Sequence, residues 1–229
     1  MKLKDQICLV TGGARGIGKA VAVAYAREGA KLALCARTSG ELEQSVAEIR
    51  RDGGDCRGWT CDVSLEDSVA DFVAAVHERF GRVDVLVNNA GVMTRPAPVT
   101  ELDVKKWDYT IAVNLRGPFL VTRAVLPAMM KQRRGSIINV SSAIGRGAFA
   151  NFTGYAASKW GLEGFTASLA AEVRSSNIRV NSVDPGYVAT KLTGYRGSKP
   201  DTVTGVFVYL ASDESKSVSG KMLGASSYR

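Results

Sequence analysis

The sequence predicts an α/β fold, a doubly wound parallel β-sheet with helices on both faces. Short, β-branched apolar runs alternate with longer stretches of helical periodicity, which is typical of strands buried between two helix layers. Right-handed crossovers then place the helices on both sides of the sheet. Glycine and polar residues follow the apolar runs directly, at the edge where such sheets bind ligands. No linker, repeat or low-complexity segment interrupts the pattern, so we expect one domain over residues 1–229.

The first quarter of the chain predicts two strands and two helices. Residues 6–11 form a short apolar run that ends in a glycine cluster, and helical periodicity then continues to about Gly29. A second apolar run from Lys31 to Ala36 predicts the next strand. The helical pattern resumes over roughly 40–52.

The middle of the chain repeats this alternation. A third strand-like piece ends at Cys61-Asp62, and a helix is expected over 65–80. The run from Val83 to Val87 predicts a fourth strand. Residues 103–132 have a helical pattern throughout, with a bend expected near Gly117-Pro118.

The last third predicts a fifth strand from Ser136 to Val140, a helix over 153–175 and a sixth strand from Ile178 to Val183. One more helix is predicted by four apolar residues at core spacing, Val203, Val206, Phe207 and Leu210.

The charge balance is basic, with 30 Lys and Arg against 22 Asp and Glu, a net charge of +8. The basic residues are scattered, and the densest cluster (Lys131, Arg133, Arg134) is too short for a nucleic-acid arm. We therefore expect no nucleic-acid partner. A basic surface equally suits a phosphorylated cofactor or an acidic carrier protein.

Other features exclude further classes. No apolar run approaches the ~18 residues that span a bilayer, and the N-terminus carries no apolar signal-peptide core, so we expect a cytoplasmic protein with no membrane partner. The one histidine, His77, lies on the polar side of a helical pattern, and no metal site is expected. Buried reduced thiols are expected for the four cysteines, Cys8, Cys35, Cys56 and Cys61.

The loop Thr11–Gly18 joins the first strand to the first helix and reads Thr-Gly-Gly-Ala-Arg-Gly-Ile-Gly. Gly12 permits a tight turn, Gly16 lets backbone N–H groups approach a pyrophosphate, and Gly18 allows close packing of helix on strand. The helix N-terminus adds the positive end of its dipole. The loop therefore predicts a dinucleotide site, against the alternative of a flexible turn.

The end of the second strand bears on the choice of cofactor. A carboxylate at this place holds the ribose 2′-hydroxyl of NAD, but the residue here is Ala36, followed by Arg37 and Thr38. Arg15 lies nearby in the glycine loop. Two guanidinium groups and a hydroxyl suit a 2′-phosphate, so NADP(H) is expected in preference to NAD(H).

A tyrosine and a lysine four residues apart point to proton transfer. Tyr155 and Lys159 lie near the start of a predicted helix, on one face and about one turn apart. A free tyrosine titrates near ~10, and a neighbouring ammonium favours its phenolate and brings the pKa toward the working range. Ser142 follows the fifth strand, where it is placed to hydrogen-bond the same substrate oxygen.

In these residues the sequence resembles the short-chain dehydrogenases/reductases, in their shorter single-domain branch, and within them the 3-oxoacyl-carrier-protein reductases. The resemblance runs from Gln6 to about Thr193. It rests on T-G-x-x-x-G-I-G (Thr11–Gly18), C-D-V (Cys61–Val63), N-N-A-G (Asn88–Gly91), V-N-L around Asn114, S-S (Ser141–Ser142), Y-x-A-S-K (Tyr155–Lys159) and D-P-G (Asp184–Gly186).

The resemblance implies a Rossmann-type fold and a catalytic tetrad of Asn114, Ser142, Tyr155 and Lys159. Tyr155 gives its proton to the substrate carbonyl oxygen as NADPH delivers hydride, and Ser142 stabilises that oxygen. Lys159 lowers the pKa of the tyrosine and hydrogen-bonds the nicotinamide ribose. Asn114 holds a water that relays protons toward Lys159.

The resemblance also implies the cofactor contacts. Asp62 meets the adenine amino group, and Thr190 orients the nicotinamide carboxamide with its hydroxyl. Asn88 is expected to be structural, tying neighbouring strands. The full set implied or inferred for the cofactor is Gly12, Arg15, Gly16, Ile17, Gly18, Arg37, Thr38, Asp62, Val63, Asn89, Ala90, Gly91, Tyr155, Lys159, Pro185, Gly186, Val188 and Thr190.

The chain departs from the family pattern after Thr193. The helical segment that normally closes over the substrate is missing or vestigial, which predicts an open site tolerant of bulky or carrier-bound ketones. The usual terminal strand followed by Asp-Gly-Gly is replaced by the segment 222–229. Arg133 stands where an acidic carrier would be contacted, but the second basic position expected in such reductases is Ser176.

The expected activity is NADPH-dependent reduction of a ketone or 3-oxoacyl group, small or carrier-bound, to a secondary alcohol. An NAD-dependent secondary-alcohol dehydrogenase remains an alternative, as does a nucleotide-binding regulator or scaffold that has lost turnover. An RNA-binding role would need an aromatic stacking platform, which the sequence does not offer. The family assembles through its two long helices, so a homo-oligomer, tetramer or dimer, is expected.

Overall fold

A computed structural model describes residues 1–228, and Arg229, the last residue of the expected domain, lies outside the described residues. Seven parallel strands form one sheet in the order β3-β2-β1-β4-β5-β6-β7. This confirms the predicted doubly wound α/β fold.

The bounds of the elements follow the alternation of the sequence. The strands are β1 (Ile7–Thr11), β2 (Lys31–Ala36), β3 (Asp55–Thr60), β4 (Val85–Asn88), β5 (Gly135–Val140), β6 (Ile178–Asp184) and β7 (Met222–Gly224). The helices are α1 (Gly16–Arg27), α2 (Ser39–Arg51), α3 (Glu66–Phe80), α4 (Val104–Ile111), α5 (Gly117–Gln132), α6 (Thr153–Glu172) and α7 (Gly205–Ala211).

The sheet divides the apolar core into two clusters, one on each face. Alternate residues of β1 point to opposite faces, so that Val10 belongs to one cluster and Leu9 to the other. The first cluster is completed by α1, α2 and α7, with Tyr25 and Phe207 fully buried. The second is completed mainly by α3 and α5. All four cysteines are free and buried, as expected.

The long helix expected over 103–132 is two helices separated by a π-helical turn at Ala112–Arg116. The bend was predicted near Gly117-Pro118, and the π-helical turn ends at the residue before Gly117. The helix expected over 153–175 ends at Glu172 and continues as a 3₁₀ turn. Val203 lies in the 3₁₀ turn before α7 rather than in the helix itself.

The C-terminal segment does not lack its strand. Met222–Gly224 forms β7, which pairs in parallel with the end of β6, so the expectation that this strand was replaced is wrong in that respect. Three residues of mixed burial give too short an apolar run to predict a strand.

The segment after Thr193 contains no α-helix before α7 within the described residues. It folds back as a short loop, in which the Ser198 N–H donates to the Tyr187 carbonyl at 2.9 Å and Ala189 donates to Ser198 at 2.8 Å. Only 3₁₀ turns, at Lys191–Thr193 and Pro200–Val203, are found here, in agreement with a helical lid that is missing or vestigial.

Asn88 ties neighbouring elements from inside the sheet, as expected. Its amide donates to Asn139 on β5 at 2.9 Å and to Thr122 on α5 at 3.1 Å. Asn139 in turn donates to Thr166 on α6 at 2.8 Å. These buried hydrogen bonds hold the two helices against the strands, although Asn88 Oδ1 itself has no hydrogen-bond partner among the described residues.

Across residues 1–228, no helix is both long and apolar enough to cross a membrane.

The close approach of α1 to β1 depends on Gly18. A methyl group there would fall far inside contact distance of the Gly12 carbonyl oxygen and the Asn89 amide nitrogen. We predict that Gly18→Ala destabilises the protein by about 1–3 kcal/mol, as overpacking does. Thermal unfolding measures the effect.

Gly40→Ala is the matched control, because Gly40 is also in the first turn of a helix but a methyl group there meets no atom within 4 Å. We expect it to be neutral or stabilising by up to about 1 kcal/mol. Equal melting temperatures for the two variants would contradict the packing argument.

Candidate active site

A cleft of about 410 Å³ opens at the carboxyl edge of the sheet. It is lined by the loops that follow β1 to β6, the edge at which a doubly wound sheet binds ligands. The predicted site residues that line it are Gly12, Arg15, Gly16, Ile17, Arg37, Thr38, Asp62, Val63, Asn89, Ala90, Gly91, Ser142, Tyr155, Lys159, Pro185, Gly186, Val188 and Thr190. Two predicted residues, Gly18 and Asn114, are not among the lining residues.

The glycine loop forms the floor of the cleft. Gly12 and Gly16 adopt positive φ angles of 65° and 56°, which glycine adopts without strain. A methyl group on Gly16 would come within 3.2 Å of the Thr190 side chain. The first turn of α1 carries no acidic residue, so its positive end is free to face an anion. These features fit a pyrophosphate.

Thr11 and Asn89 clamp the first and fourth strand loops together. The Thr11 hydroxyl accepts from the N–H groups of Asn89 and Ala90, both at 3.0 Å. The Asn89 amide donates to the carbonyls of Thr11 at 2.8 Å and Gly12 at 3.2 Å. Asn89 therefore holds the glycine loop in its tight turn.

The cationic residues expected at the ribose end lie in the cleft, and both have partners. Arg15 donates to both carboxylate oxygens of Glu41, at 2.6 and 2.8 Å. The Arg37 guanidinium hydrogen-bonds the Tyr109 hydroxyl and lies 5.5 Å from the centre of its ring. Thr38 is the residue before α2, and its side chain makes no capping hydrogen bond.

Asp62 is placed by a turn between β3 and α3. Its Oδ1 accepts from the Ser64 N–H at 2.9 Å and the Ser64 hydroxyl at 2.6 Å, and its N–H donates to the Ser68 hydroxyl oxygen at 3.0 Å. Across the cleft, the Gly186 N–H donates to the Asp184 carboxylate at 2.9 Å. Thr190 precedes a 3₁₀ turn and faces Gly16.

Tyr155, Lys159 and Ser142 come together at one end of the cleft. Tyr155 is half-buried in the first turn of α6, and Lys159 follows one turn later, buried. The Lys159 ammonium lies 5.6 Å from the centre of the Tyr155 ring and donates to the Val140 carbonyl at 2.7 Å. Ser142 lies beside the phenol, at the end of the loop after β5.

Burial shifts both pKa values away from the charged forms. Desolvation raises the pKa of Tyr155 to about 12, an effect that the nearby Asp184 carboxylate increases and the Ser142 hydroxyl opposes. Desolvation lowers the pKa of Lys159 to about 8, although Glu163 one turn along α6 acts to raise it. The protein alone therefore holds Tyr155 as a neutral phenol that can give up a proton to a substrate.

Asn114 lies beside the cleft rather than in it. Its side-chain oxygen accepts from the Val92 N–H at 2.8 Å, and its amide donates to the Val92 carbonyl at 2.8 Å and the Ser158 hydroxyl at 3.2 Å. It lies within the π-helical turn, where the shift to i→i+5 bonding disturbs the α-helical pairing of the backbone.

Sequence reasoning did not identify several lining residues as part of the site: Ala14, Cys35, Ala36, Glu41, Cys61, Val92, Met93, Val113, Val140, Ser141, Lys191, Leu192 and Thr193. Most are apolar or lie beside a predicted residue, and only packing reveals them. For Glu41 the sequence did contain a signal, because Thr38-Ser39-Gly40-Glu41 has the pattern of a helix capping box.

Within residues 1–228 no group of three or more His, Cys, Asp or Glu side chains is arranged to hold a metal ion.

A glycine floor and a helix N-terminus at the carboxyl edge of a doubly wound sheet define a dinucleotide-binding protein.

Known proteins narrow this class. The family described as short chain dehydrogenase matches residues 6–201. The chain is 40% identical to a 3-oxoacyl-[acyl-carrier-protein] reductase of Thermotoga maritima, over 98% of this chain and 97% of that protein. It is 38% identical to D-threitol dehydrogenase of Mycolicibacterium smegmatis, over 96% and 90%. The crystal structure of NAD+-bound xylitol dehydrogenase superposes with a TM-score of 0.92 at 29% identity, over 98% of both chains.

The chain belongs to the short-chain dehydrogenase/reductase family. It is an oxidoreductase that acts on a carbonyl or alcohol group, and the substrates named for its relatives differ widely.

The lowered pKa of Lys159 predicts how its replacement changes stability with pH. The ordinary lysine pKa of 10.5 falls to about 8 in the folded protein. Between these values the unfolded chain binds more protons than the folded one, so this lysine adds stability as pH rises through the window. The stability of the wild type relative to Lys159→Met should rise from pH 8 to 10.5 by up to about 3 kcal/mol.

Urea unfolding at several pH values measures this difference, and turnover should be lost in the variant at each pH. A stability difference that is constant with pH, or that falls, would contradict the lowered pKa.

Proposed function

We propose that the protein is an NADP(H)-dependent reductase that converts a ketone or 3-oxoacyl group into a secondary alcohol, reversibly. The observation that carries the proposal is the grouping of Tyr155, Ser142 and buried Lys159 at one end of a glycine-floored cleft. A neutral phenol beside a hydroxyl, over a lysine, is suited to protonating a developing alkoxide.

Each polar side chain of this group has one role in reduction. Tyr155 donates its phenolic proton to the carbonyl oxygen. Ser142 hydrogen-bonds that oxygen and holds it at the phenol. Lys159 favours the phenolate that results, because its ammonium lies within 5.6 Å of the ring. The chemistry that the bound cofactor supplies is hydride transfer to the carbonyl carbon.

Asn114 acts through position in this proposal. Its amide is engaged by Val92 and Ser158, so it fixes the loop after β4 against α6. The backbone of the π-helical turn, rather than the Asn114 side chain, would hold a water that passes protons toward Lys159.

The residues of the cleft would hold the dinucleotide along the carboxyl edge. The glycine loop and the N-terminus of α1 take the pyrophosphate. Asp62 and the loop Asn89–Gly91 take the adenosine side, with Ile17 and Val63 as apolar contacts. Pro185, Gly186, Val188 and Thr190 take the nicotinamide side.

The preference for NADP(H) rests on charge. Arg15, Arg37 and Thr38 line the cleft, and Ala36 stands where a carboxylate would hold the ribose of NAD. An NAD-dependent secondary-alcohol dehydrogenase is the second candidate, favoured by the structural similarity to NAD+-bound xylitol dehydrogenase.

The short loop after Thr193 supports a bulky or carrier-bound substrate. The alignment to the T. maritima reductase extends over 240 positions, more than the 229 residues of this chain, so that relative has residues that this chain lacks. Tyr187 and Tyr195 remain 62% and 72% exposed at this side. Arg133 is a cation suited to contact with an acidic carrier protein, although its guanidinium donates to the Ser175 carbonyl at 3.0 Å. The second basic position expected in such reductases is the uncharged Ser176.

A homo-oligomer, tetramer or dimer, would form through α5 and α6. Phe119 on α5 is 46% exposed and stacks edge-on with Phe165 of α6 at 6.5 Å, while Met130 and Trp160 are also exposed on these helices. A cytoplasmic location is consistent with four free cysteines.

Initial rates of NADPH and NADH oxidation against a ketone panel test the function. The panel contains an acetoacetyl thioester, a diketone, an aryl ketone and a quinone. We expect turnover that prefers NADPH. Tyr155→Phe removes the proton donor and should lower kcat by about 10²–10⁴-fold.

Tyr195→Phe is the matched control, because it makes the same chemical change on an exposed tyrosine of the short loop, and it should retain at least half the rate. Full activity in Tyr155→Phe would refute the assigned chemistry. Silence across the panel, with NADPH still tightly bound, would instead favour a nucleotide-binding regulator or scaffold.

A further inference from the structure

Glu41 is an anion in a part of the cleft where a phosphate is expected. Both of its carboxylate oxygens accept from one nitrogen of the Arg15 guanidinium, at 2.6 and 2.8 Å. The two side chains are 44% and 48% exposed, and both line the cleft together with Arg37 and Thr38. An exposed pair of this kind is weak enough to be displaced by a ligand.

The local sequence would allow Glu41 a different role. Thr38-Ser39-Gly40-Glu41 has the spacing of a capping box, in which the glutamate turns back to the N–H of the first residue. In the described structure Thr38 makes no side-chain capping bond, and Glu41 reaches Arg15 instead. Glu41 therefore pairs with Arg15 instead of capping α2, and its carboxylate lies in the cleft.

The two arginines of this region differ in the charge of their partners. Arg37 contacts Tyr109, a neutral group, through its hydroxyl and ring. Arg15 contacts Glu41, whose negative charge repels a phosphate that approaches the same guanidinium. A 2′-phosphate can therefore share Arg37 with Tyr109, but it must compete with Glu41 for Arg15.

The same carboxylate can serve the other cofactor. A carboxylate that accepts from ribose hydroxyls selects NAD, and the usual place for it, after β2, is taken by Ala36. Glu41 lines the cleft together with Ala36, Arg37 and Thr38, and the other acidic lining residue, Asp62, already accepts two hydrogen bonds from Ser64.

We propose that Glu41 is a specificity-determining residue that limits the preference for NADP(H): its carboxylate opposes the 2′-phosphate at Arg15 and accepts from the ribose hydroxyls of NAD(H). This inference rests on the proposed function, since it concerns how the same cleft chooses its dinucleotide. The protein then binds both cofactors, with a modest preference for the phosphorylated one.

Dissociation constants measured by isothermal titration, without substrate, test the proposal. The ligands are NADPH, NADH and 2′,5′-ADP, with 5′-AMP as the ligand that lacks the 2′-phosphate. Glu41→Gln should tighten NADPH and 2′,5′-ADP about fivefold and weaken NADH about twofold, because removal of one exposed charge acts at this scale. This increase in affinity for NADPH and 2′,5′-ADP should be smaller at high salt concentration.

Two further variants separate a local effect from a general one. Glu43→Gln removes the same charge from an exposed position of α2 outside the cleft, and should leave the ratio of NADPH to NADH affinity unchanged. In an Arg15→Gln background, Glu41→Gln should lose most of its effect on 2′,5′-ADP, because the competition for Arg15 no longer exists.

Three results would overturn the inference. An unchanged affinity ratio in folded Glu41→Gln shows that the carboxylate does not select the cofactor, while the proposed function stands. An equal effect of Glu43→Gln assigns the change to net charge. Failure of the wild type to bind either dinucleotide removes the proposed function and this inference together.

Discussion

A strand covered by helices on both faces has no room for a charged side chain, and this constraint shapes the centre of the sheet. The central strands β1, β4 and β5 are buried throughout, and the polar residues within them are hydrogen-bonded, as the link from Asn88 to Asn139 illustrates. These three strands contain no charged residue, whereas the outer strands do, as Arg57 of β3 and Arg179 of β6 show. Lys159 of α6 is a charged residue that is nevertheless buried against the sheet. Its ammonium donates to the carbonyl of Val140, where β5 ends. Desolvation then lowers its pKa to about 8.

Hydrogen bonds between the loops at the strand ends hold the cleft in shape. Thr11 and Asn89 lock the first and fourth strand loops to one another through four hydrogen bonds. The locked glycine loop is packed so closely that a methyl group on Gly18 would clash with the Gly12 carbonyl oxygen. By contrast, the loop after Thr193 is short and its tyrosines are exposed. A closely packed glycine loop and an exposed loop after Thr193 are compatible with a family whose members are named for different substrates.

Features of the fold that depend on hydrophobic periodicity were predicted from the sequence. Features that depend on a single tertiary contact were not. β1, β2, β4, β5 and β6 are mostly buried apolar runs, and these five strands were located together with the more exposed β3. Glycines and polar residues after the strands marked the cleft. β7 escaped because three residues carry no periodicity. The orientation of Asn114 depends on a π-helical turn, which has no pattern of its own, and the pairing of Glu41 with Arg15 opposes the capping role that its spacing indicates. Such features arise from tertiary packing, which local sequence does not encode.

The central claim is that this site holds Tyr155 neutral until a cofactor charge favours its phenolate. Ultraviolet titration of tyrosinate, with the Tyr155→Phe spectrum subtracted, measures that ionisation directly in the free protein and in the presence of NADP+. In the free protein the pKa should be about 12. With NADP+ bound it should fall by about 2 units or more, because the positive charge of an oxidised nicotinamide held in this cleft would stabilise the phenolate. The same pKa in both states would contradict the account, since Tyr155 would then have no coupling to the cofactor.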